Sequence, residues 1–158
     1  ITKNELIDKK MDISFLMRNI LDDLNLNESC NLVMDSHCFH CLNDLSEQKK
    51  ALKNMVSSLK LGGILAIETM VRHENMSFSP PYYFDTNTSK LFKEDRWGTF
   101  VQFRTIPEAL ELEKMILMEN LKIEYFTILP NLRVIPESNR EIVREEDPQC
   151  LRIICRKT

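Results

Sequence analysis

The stretch that decides the fold is Asn31-Leu32-Val33-Met34-Asp35-Ser36-His37-Cys38-Phe39-His40-Cys41-Leu42, followed one helix length later by Leu59-Lys60-Leu61-Gly62-Gly63-Ile64-Leu65-Ala66-Ile67-Glu68-Thr69-Met70. The run 31–34 is short, apolar and stopped by Asp35-Ser36, which reads as a buried strand ending in a polar turn. Residues 46–60 carry Ala51, Leu52, Met55, Val56 and Leu59 on one helical face, with Lys49, Lys53, Ser57 and Lys60 opposite. The spacing predicts a helix closed by a glycine cap at Gly62-Gly63. Residues 64–67 follow at once as a second buried strand. Strand, helix and strand in this order make a βαβ unit, parallel and right-handed.

Upstream, residues 11–21 fit two patterns. Ile13, Phe15 and Met17 alternate as in a strand, while Ile13, Met17, Ile20 and Leu24 are spaced for a helix face. Downstream, residues 71–104 read as an irregular insertion, with a strand expected over 99–104. A structureless loop beyond about 15 residues is uncommon in a compact domain unless it has a function. Thr105-Ile106-Pro107-Glu108 reads as a capping box opening a helix to about residue 120. Residues 122–129 form a strand, 140–147 a charged, solvated connector and 150–155 a closing strand. The expected fold class is therefore α/β, one domain over 1–158, with 71–104 as a lid-like insertion. In such sheets ligands lie beyond the carboxyl ends of the parallel strands, here 35–41 and 68–72.

The composition narrows the function classes. The chain has 158 residues, a net charge of −3 and 43% hydrophobic residues, which are globular values. There is no basic excess to mark a nucleic-acid binder. No apolar run reaches the roughly 18 residues of a transmembrane helix, so no membrane partner is expected. Only Gly62, Gly63 and Gly98 are present, so neither GxxxxGK[ST] nor GxGxxG can be written. Five cysteines, an odd count, argue against a disulfide framework and for a reducing, cytoplasmic setting.

Residues 35–41 concentrate the reactive side chains. His37, Cys38, His40 and Cys41 lie so close in sequence that one turn of chain would have to wrap a zinc ion. No second ligand pair follows, and the remaining histidine is His73, so no metal site is expected. Cys38 and Cys41 form a CxxC between a strand and a helix, as in thiol–disulfide oxidoreductases, and Pro136 could face such a site. The βαβ unit that follows has no place in that fold. His40, beside His37, is a candidate general base with a pKa near neutrality. Packed cysteines and a core histidine are the plainer reading. Tyr82, Tyr83, Phe84 and Trp97 are candidates for a substrate lid.

The ordered set of 31–42, a helix, then 59–70, resembles the second half of class I S-adenosylmethionine-dependent methyltransferases. In that family a strand ends in a turn of this kind, and a helix, an L-K-P-G-G turn and the next strand follow. Leu61 stands where proline is usual. Residues 104–108 with their helix, and 123–126, resemble the family's last helix and hairpin. The family's first glycine-rich strand-loop has no counterpart here. The resemblance implies a Rossmann-like sheet, C-terminal part, in which 13–17 would be the third strand. It implies S-adenosylmethionine as cofactor, with Asn19 and Ile20 flanking the adenine and Asp35, Ser36 and His37 near the methionine part. His40 and His37 would be the catalytic candidates, and Tyr82, Tyr83 and Trp97 the substrate lid. It implies methyl transfer to a small molecule, with a protein acceptor second; an oxidoreductase using Cys38 and Cys41, or a non-catalytic interaction fragment, is the alternative. Without the first strands, 13–17 has no pairing partner. The chain is then expected to bind cofactor weakly, and either to form a homodimer through an exposed sheet edge or to refold 11–21 as a helix.

Overall fold

A computed structural model of the chain describes residues 13–137 and 140–158. In chain order the elements are β1 (Cys30–Ser36), a 3-10 turn (Phe39–Cys41), α1 (Leu45–Ser58), β2 (Leu59–Val71), β3 (Tyr82–Asp85), β4 (Lys90–Glu94), β5 (Phe100–Thr105), α2 (Ala109–Leu117), β6 (Leu121–Arg133) and β7 (Gln149–Lys157). α1 starts where Asp44 accepts the amides of Ser46 and Glu47, each at 2.9 Å, satisfying orphan donors of the first turn. Its apolar face buries Ala51, Leu52, Met55 and Val56.

The main sheet has the order β1-β2-β7-β6. β1 and β2 are parallel, while β7 runs against both β2 and β6. Alternation along the strands then sorts side chains to two faces. Leu65, Ile67, Leu151, Ile153 and Cys155 form one core with α1 and with Leu112, Met115 and Ile116 of α2. Burying each such Leu or Ile contributes about 1.5–3 kcal/mol. The opposite face carries the cross-strand row Met34, Ala66, Ile154 and Tyr125. Met34 is 70% exposed and Leu32 51%.

The structure departs from the sequence-level expectations at five places. Residues 13–19 form neither strand nor helix, and Met11 and Asp12 lie outside the described residues. Among the described residues no strand lies beyond β1 to pair with them; instead Ile20 and Leu21 pack against the core beside α1. Asn54 of α1 donates to the carbonyls of Ile20 and Asp22 at 2.8 and 2.9 Å.

The glycines do not cap α1. The helix ends at Ser58, Leu59 is already extended, and β2 begins there. Gly62 (φ 77°) and Gly63 sit instead in a bulge, where the register jumps from Cys30↔Leu59 to Leu32↔Ile64.

Only part of residues 71–104 is irregular: 73–81 carry no helix or strand, and the strand expected over 99–104 is β5. β3, β4 and β5 form an antiparallel three-stranded sheet, seated on Met70 through Leu91 and Ile106. The α2 cap is Glu108, paired with Glu111, because Thr105 is still the last residue of β5. The connector after residue 140 is not wholly solvated: Asp147 is buried, and Arg140 pairs with it and with Glu137.

The bulge makes a testable distinction between neighbouring glycines. A Cβ on Gly63 would lie 2.8 Å from the Lys60 carbonyl oxygen, whereas Gly62 has open space but a left-handed backbone. Gly62→Ala is expected to cost about 1 kcal/mol, and Gly63→Ala about 2 kcal/mol or more. Urea titrations of the two variants compare them, and equal midpoints would contradict this account.

Candidate functional site

β1 ends at Asp35-Ser36, and the next residue, His37, takes a left-handed backbone (φ 62°). The His37 amide donates to the Glu68 carbonyl at 2.9 Å, so the turn is fastened to β2 beside it. His37 Nε2 then lies 3.2 Å from Glu68 Oε1. On the other side of Glu68, Arg152 of β7 donates to Oε2 through Nε at 2.9 Å and Nη2 at 2.5 Å. The register Glu68↔Arg152 places these two on one face of adjacent strands. The Arg152 guanidinium holds the Glu68 carboxyl below its usual range, against the effect of partial burial.

Asp35 is buried and accepts the Phe39 amide at 3.2 Å, closing the 3-10 turn. Burial pushes its carboxyl up, opposed by the amides of Phe39 and Cys38 and by His37. Ser36 is exposed at the strand end. Asp35, Ser36 and His37 thus stand together at the carboxyl end of β1. Asn19 and Ile20 do not join them. Asn19 accepts the Leu21 amide at 3.0 Å, and the Ile20 carbonyl is held by Asn54, in the later half of α1.

His40 is a core residue, 2% exposed. Its Nδ1 accepts the Met70 amide at 3.4 Å and lies 3.2 Å from Thr69 Oγ1. An amide only donates, so Nδ1 carries no proton and the ring is neutral. Burial lowers its pKa to about 3, with help from Arg104 and His37. The expectation of titration near neutrality is corrected: this imidazole locks the turn to β2.

Cys38 and Cys41 are exposed, and the Cys41 thiol donates to the His37 carbonyl at 3.4 Å. Burial, Asp35 and Cys41 push the Cys38 thiol up. That is opposite to the shift a redox-active CxxC requires.

The lid aromatics do not converge. Tyr82 faces the lid core near Phe78 and Phe103, with ring centroids 6.5 and 6.1 Å away. Tyr83 points to the other face, against Phe92 and Phe100, each 6.2 Å away. Trp97 is exposed in the β4–β5 turn, with Arg96 stacked 4.0 Å from its ring. A cavity of about 530 Å³ lies at the carboxyl end of β2, between the lid and the start of α2. Arg72, Met76, Phe84, Glu108 and Ile128 are among its walls. Arg72 Nη2 is 2.7 Å from Glu108 Oε1.

Sequence reasoning missed Arg152 and Cys150 as parts of this end of the sheet, while Thr69 falls within the segment 68–72 expected there. A signal was available. Glu68 and Arg152 each interrupt an otherwise apolar strand with opposite charge, a pattern that cross-strand pairing explains.

No family model matches the sequence, and no curated protein does. Solved structures do match it. The PH0226 protein of Pyrococcus horikoshii is similar over 99% of this chain and 65% of its own, with 10% identity and a TM-score of 0.67. An S-adenosylmethionine-dependent methyltransferase from Methanosarcina mazei is similar over 89% of this chain and 65% of its own, at 15% identity and a TM-score of 0.66. The fold is that of a C-terminal portion of S-adenosylmethionine-dependent methyltransferases. The N-methyltransferase NodS of Bradyrhizobium japonicum, solved with S-adenosylhomocysteine, is similar over 94% of this chain and 57% of its own, at 18% identity and a TM-score of 0.54. The chain therefore spans less than two thirds of the length of these three. No helix among the described residues is long and apolar enough to cross a membrane.

The His40 environment predicts a pH dependence. The unfolded imidazole titrates near 6.5 and the folded one near 3. Between these values the unfolded chain binds a proton that the folded chain refuses, so stability falls as pH drops through about 6.5. The loss is a few kcal/mol, complete near pH 3. His40→Gln should flatten the slope of unfolding free energy against pH in this window. An unchanged slope would show that other groups cause it.

Proposed function

We propose that this chain is the acceptor-side part of an S-adenosylmethionine-dependent methyltransferase that acts on a small molecule. The observation that carries the reading is the polar turn of residues 35–37 at the carboxyl end of β1, in a sheet whose reversed strand β7 matches the methyltransferase fold. The β1 edge that bears this turn has no neighbour among the described residues.

The residues fit one wall of a cofactor site. Ser36 and the half-exposed His37 offer polar groups beside the apolar Met34, which suits the methionine end of the cofactor. The adenosine end would need a glycine-rich loop, which this sequence does not contain. The cofactor supplies a methyl group on a sulfonium, and transfer needs mainly proximity and in-line geometry. This chain's part is to place the acceptor. The lid sheet is fixed on Met70, and the cavity beneath it is within the usual range for small ligands, about 300–1,000 Å³. Phe84, which lines this cavity, is the aromatic best placed to touch an acceptor; Tyr82 shares its face of the sheet without lining the cavity, and Tyr83 and Trp97 belong to the outer surface. Free thiols suit a reducing, cytoplasmic setting. The bare β1 edge is the surface where the rest of such a domain, or a second copy, would pair.

Amide chemical-shift mapping with S-adenosylhomocysteine tests this. Weak binding with shifts centred on Ser36 and His37 is expected, reduced several-fold by His37→Ala. Shifts elsewhere, with none in this turn, would overturn the cofactor placement. The redox alternative is tested separately: Cys38 should alkylate with iodoacetamide at pH 7 more slowly than a free cysteine. Faster alkylation would favour the oxidoreductase.

A further inference from the structure

The geometry points to a divalent metal site, suited to zinc, formed by His37, Glu68 and Cys150. One ligand atom from each of these residues lies within 4.8 Å of the others, and this is the one such group of three or more His, Cys, Asp or Glu among the described residues. The three come from separate places: the turn after β1, the carboxyl-terminal part of β2 and the start of β7. They therefore approach from different directions, which the sequence-local His37, Cys38, His40 and Cys41 do not. In the folded chain His40 is committed to Met70, and Cys41 donates to the His37 carbonyl.

The backbone sets the three in place. The pairs Glu68↔Arg152 and Met70↔Cys150 put Glu68 and Cys150 on the same face as diagonal neighbours. The left-handed turn at His37, tied by its amide to the Glu68 carbonyl, brings the imidazole over the same strand. Tetrahedral zinc takes nitrogen and oxygen at about 2.0–2.2 Å and sulfur at about 2.3 Å, so ligand atoms sit roughly 3.5 Å apart. Closing this group onto an ion needs side-chain movement of about 1 Å. His37 Nδ1 is buried without a hydrogen-bond partner, so the ring's hydrogen-bonding restraint comes through Glu68, with the His40 ring packed edge-on 5.7 Å away.

Arg152 does not occupy the ligand position. Its two donors both reach Glu68 Oε2, leaving Oε1 facing His37. A ligating carboxylate is commonly held from behind by such a partner. Zinc accepts nitrogen, oxygen and thiolate together, whereas magnesium and calcium require oxygen donors. On binding, the Cys150 S–H bond breaks, sulfur bonds to the ion, and the proton passes to solvent. Three protein ligands leave a fourth position, on the half-exposed His37 side, for water or another ligand, as in catalytic rather than structural zinc sites.

Cobalt(II) added to the reduced chain provides the test, independent of any methyl transfer. Tetrahedral d–d bands and a thiolate charge-transfer band are expected, with zinc displacing cobalt. His37→Ala, Glu68→Gln and Cys150→Ala should each weaken binding on the order of tenfold or more, while Cys38→Ala and Cys41→Ala leave it unchanged. Circular dichroism establishes that each variant is folded; Glu68→Gln keeps the side-chain volume and serves if Cys150→Ala fails to fold. Octahedral cobalt without a thiolate band, or loss of binding on changing Cys38 or Cys41 alone, overturns the proposal.

Discussion

Everything in this molecule leans on the pairing of β2 with β7. β2 is bonded on one side to β1 in parallel and on the other to β7 in antiparallel fashion. Its alternating side chains feed two different structures. Leu65 and Ile67 enter the main core beneath the helices, while Met70 anchors the lid sheet. Glu68 lies between these two anchor points and meets Arg152 across the pair. One strand therefore fixes the core, the lid and the polar end of the sheet relative to one another.

Polar groups at that end are unusually well tied down. His40 is spent on Met70 and Thr69, Asp35 on the 3-10 turn, and Gln48 of α1 on the carbonyls of Phe39 and Thr105, at 3.3 and 3.2 Å. Gln48 thus joins the turn after β1 to the end of the lid sheet. Buried polar links of this kind carry a cost when a partner is removed, so they fix one arrangement more firmly than apolar contact alone. What remains outward-facing is small: Ser36, one side of His37, the Cys38 and Cys41 thiols, and the Glu68–Arg152 pair.

Much of the architecture was legible in the sequence. The apolar runs at 64–67 and 150–155 are strands packed on the core, and α1 follows from the spacing of Ala51, Leu52, Met55 and Val56; 31–34 is also a strand, but not the buried one its composition suggested, since Leu32 and Met34 are exposed on the sheet's edge strand. The glycine cap was misread because Gly62 and Gly63 serve a bulge, and a bulge depends on a partner strand that local sequence does not name. The lid sheet was missed because its short strands gain their regularity from one another and from Met70, not from a marked alternation. The segment 13–19 was ambiguous for a physical reason: its pattern suits two structures, and in this chain it adopts neither. At the site, the turn 35–37 was found from its composition. Arg152, and Cys150 as a neighbour of Glu68, depend on register between strands about 80 residues apart in sequence, which no local pattern encodes.

The reversed strand also sets an order of assembly. Among the described residues β6 is bonded to the main sheet only through β7, and β7 follows β1, β2 and β6 in sequence. During synthesis β1, α1 and β2 emerge before β7 and can associate, but the slot beside β2 stays empty until β7 arrives. Until then β6 has no strand of this sheet to pair with. Closure is a late, long-range step whose loop entropy must be overcome before its contacts form. A nascent chain therefore presents the inner edge of β2 to the cell for as long as the downstream residues take to be made. A frameshift or stop upstream of β7 would leave the β1–β2 pair and the lone strand β6 with no strand to connect them.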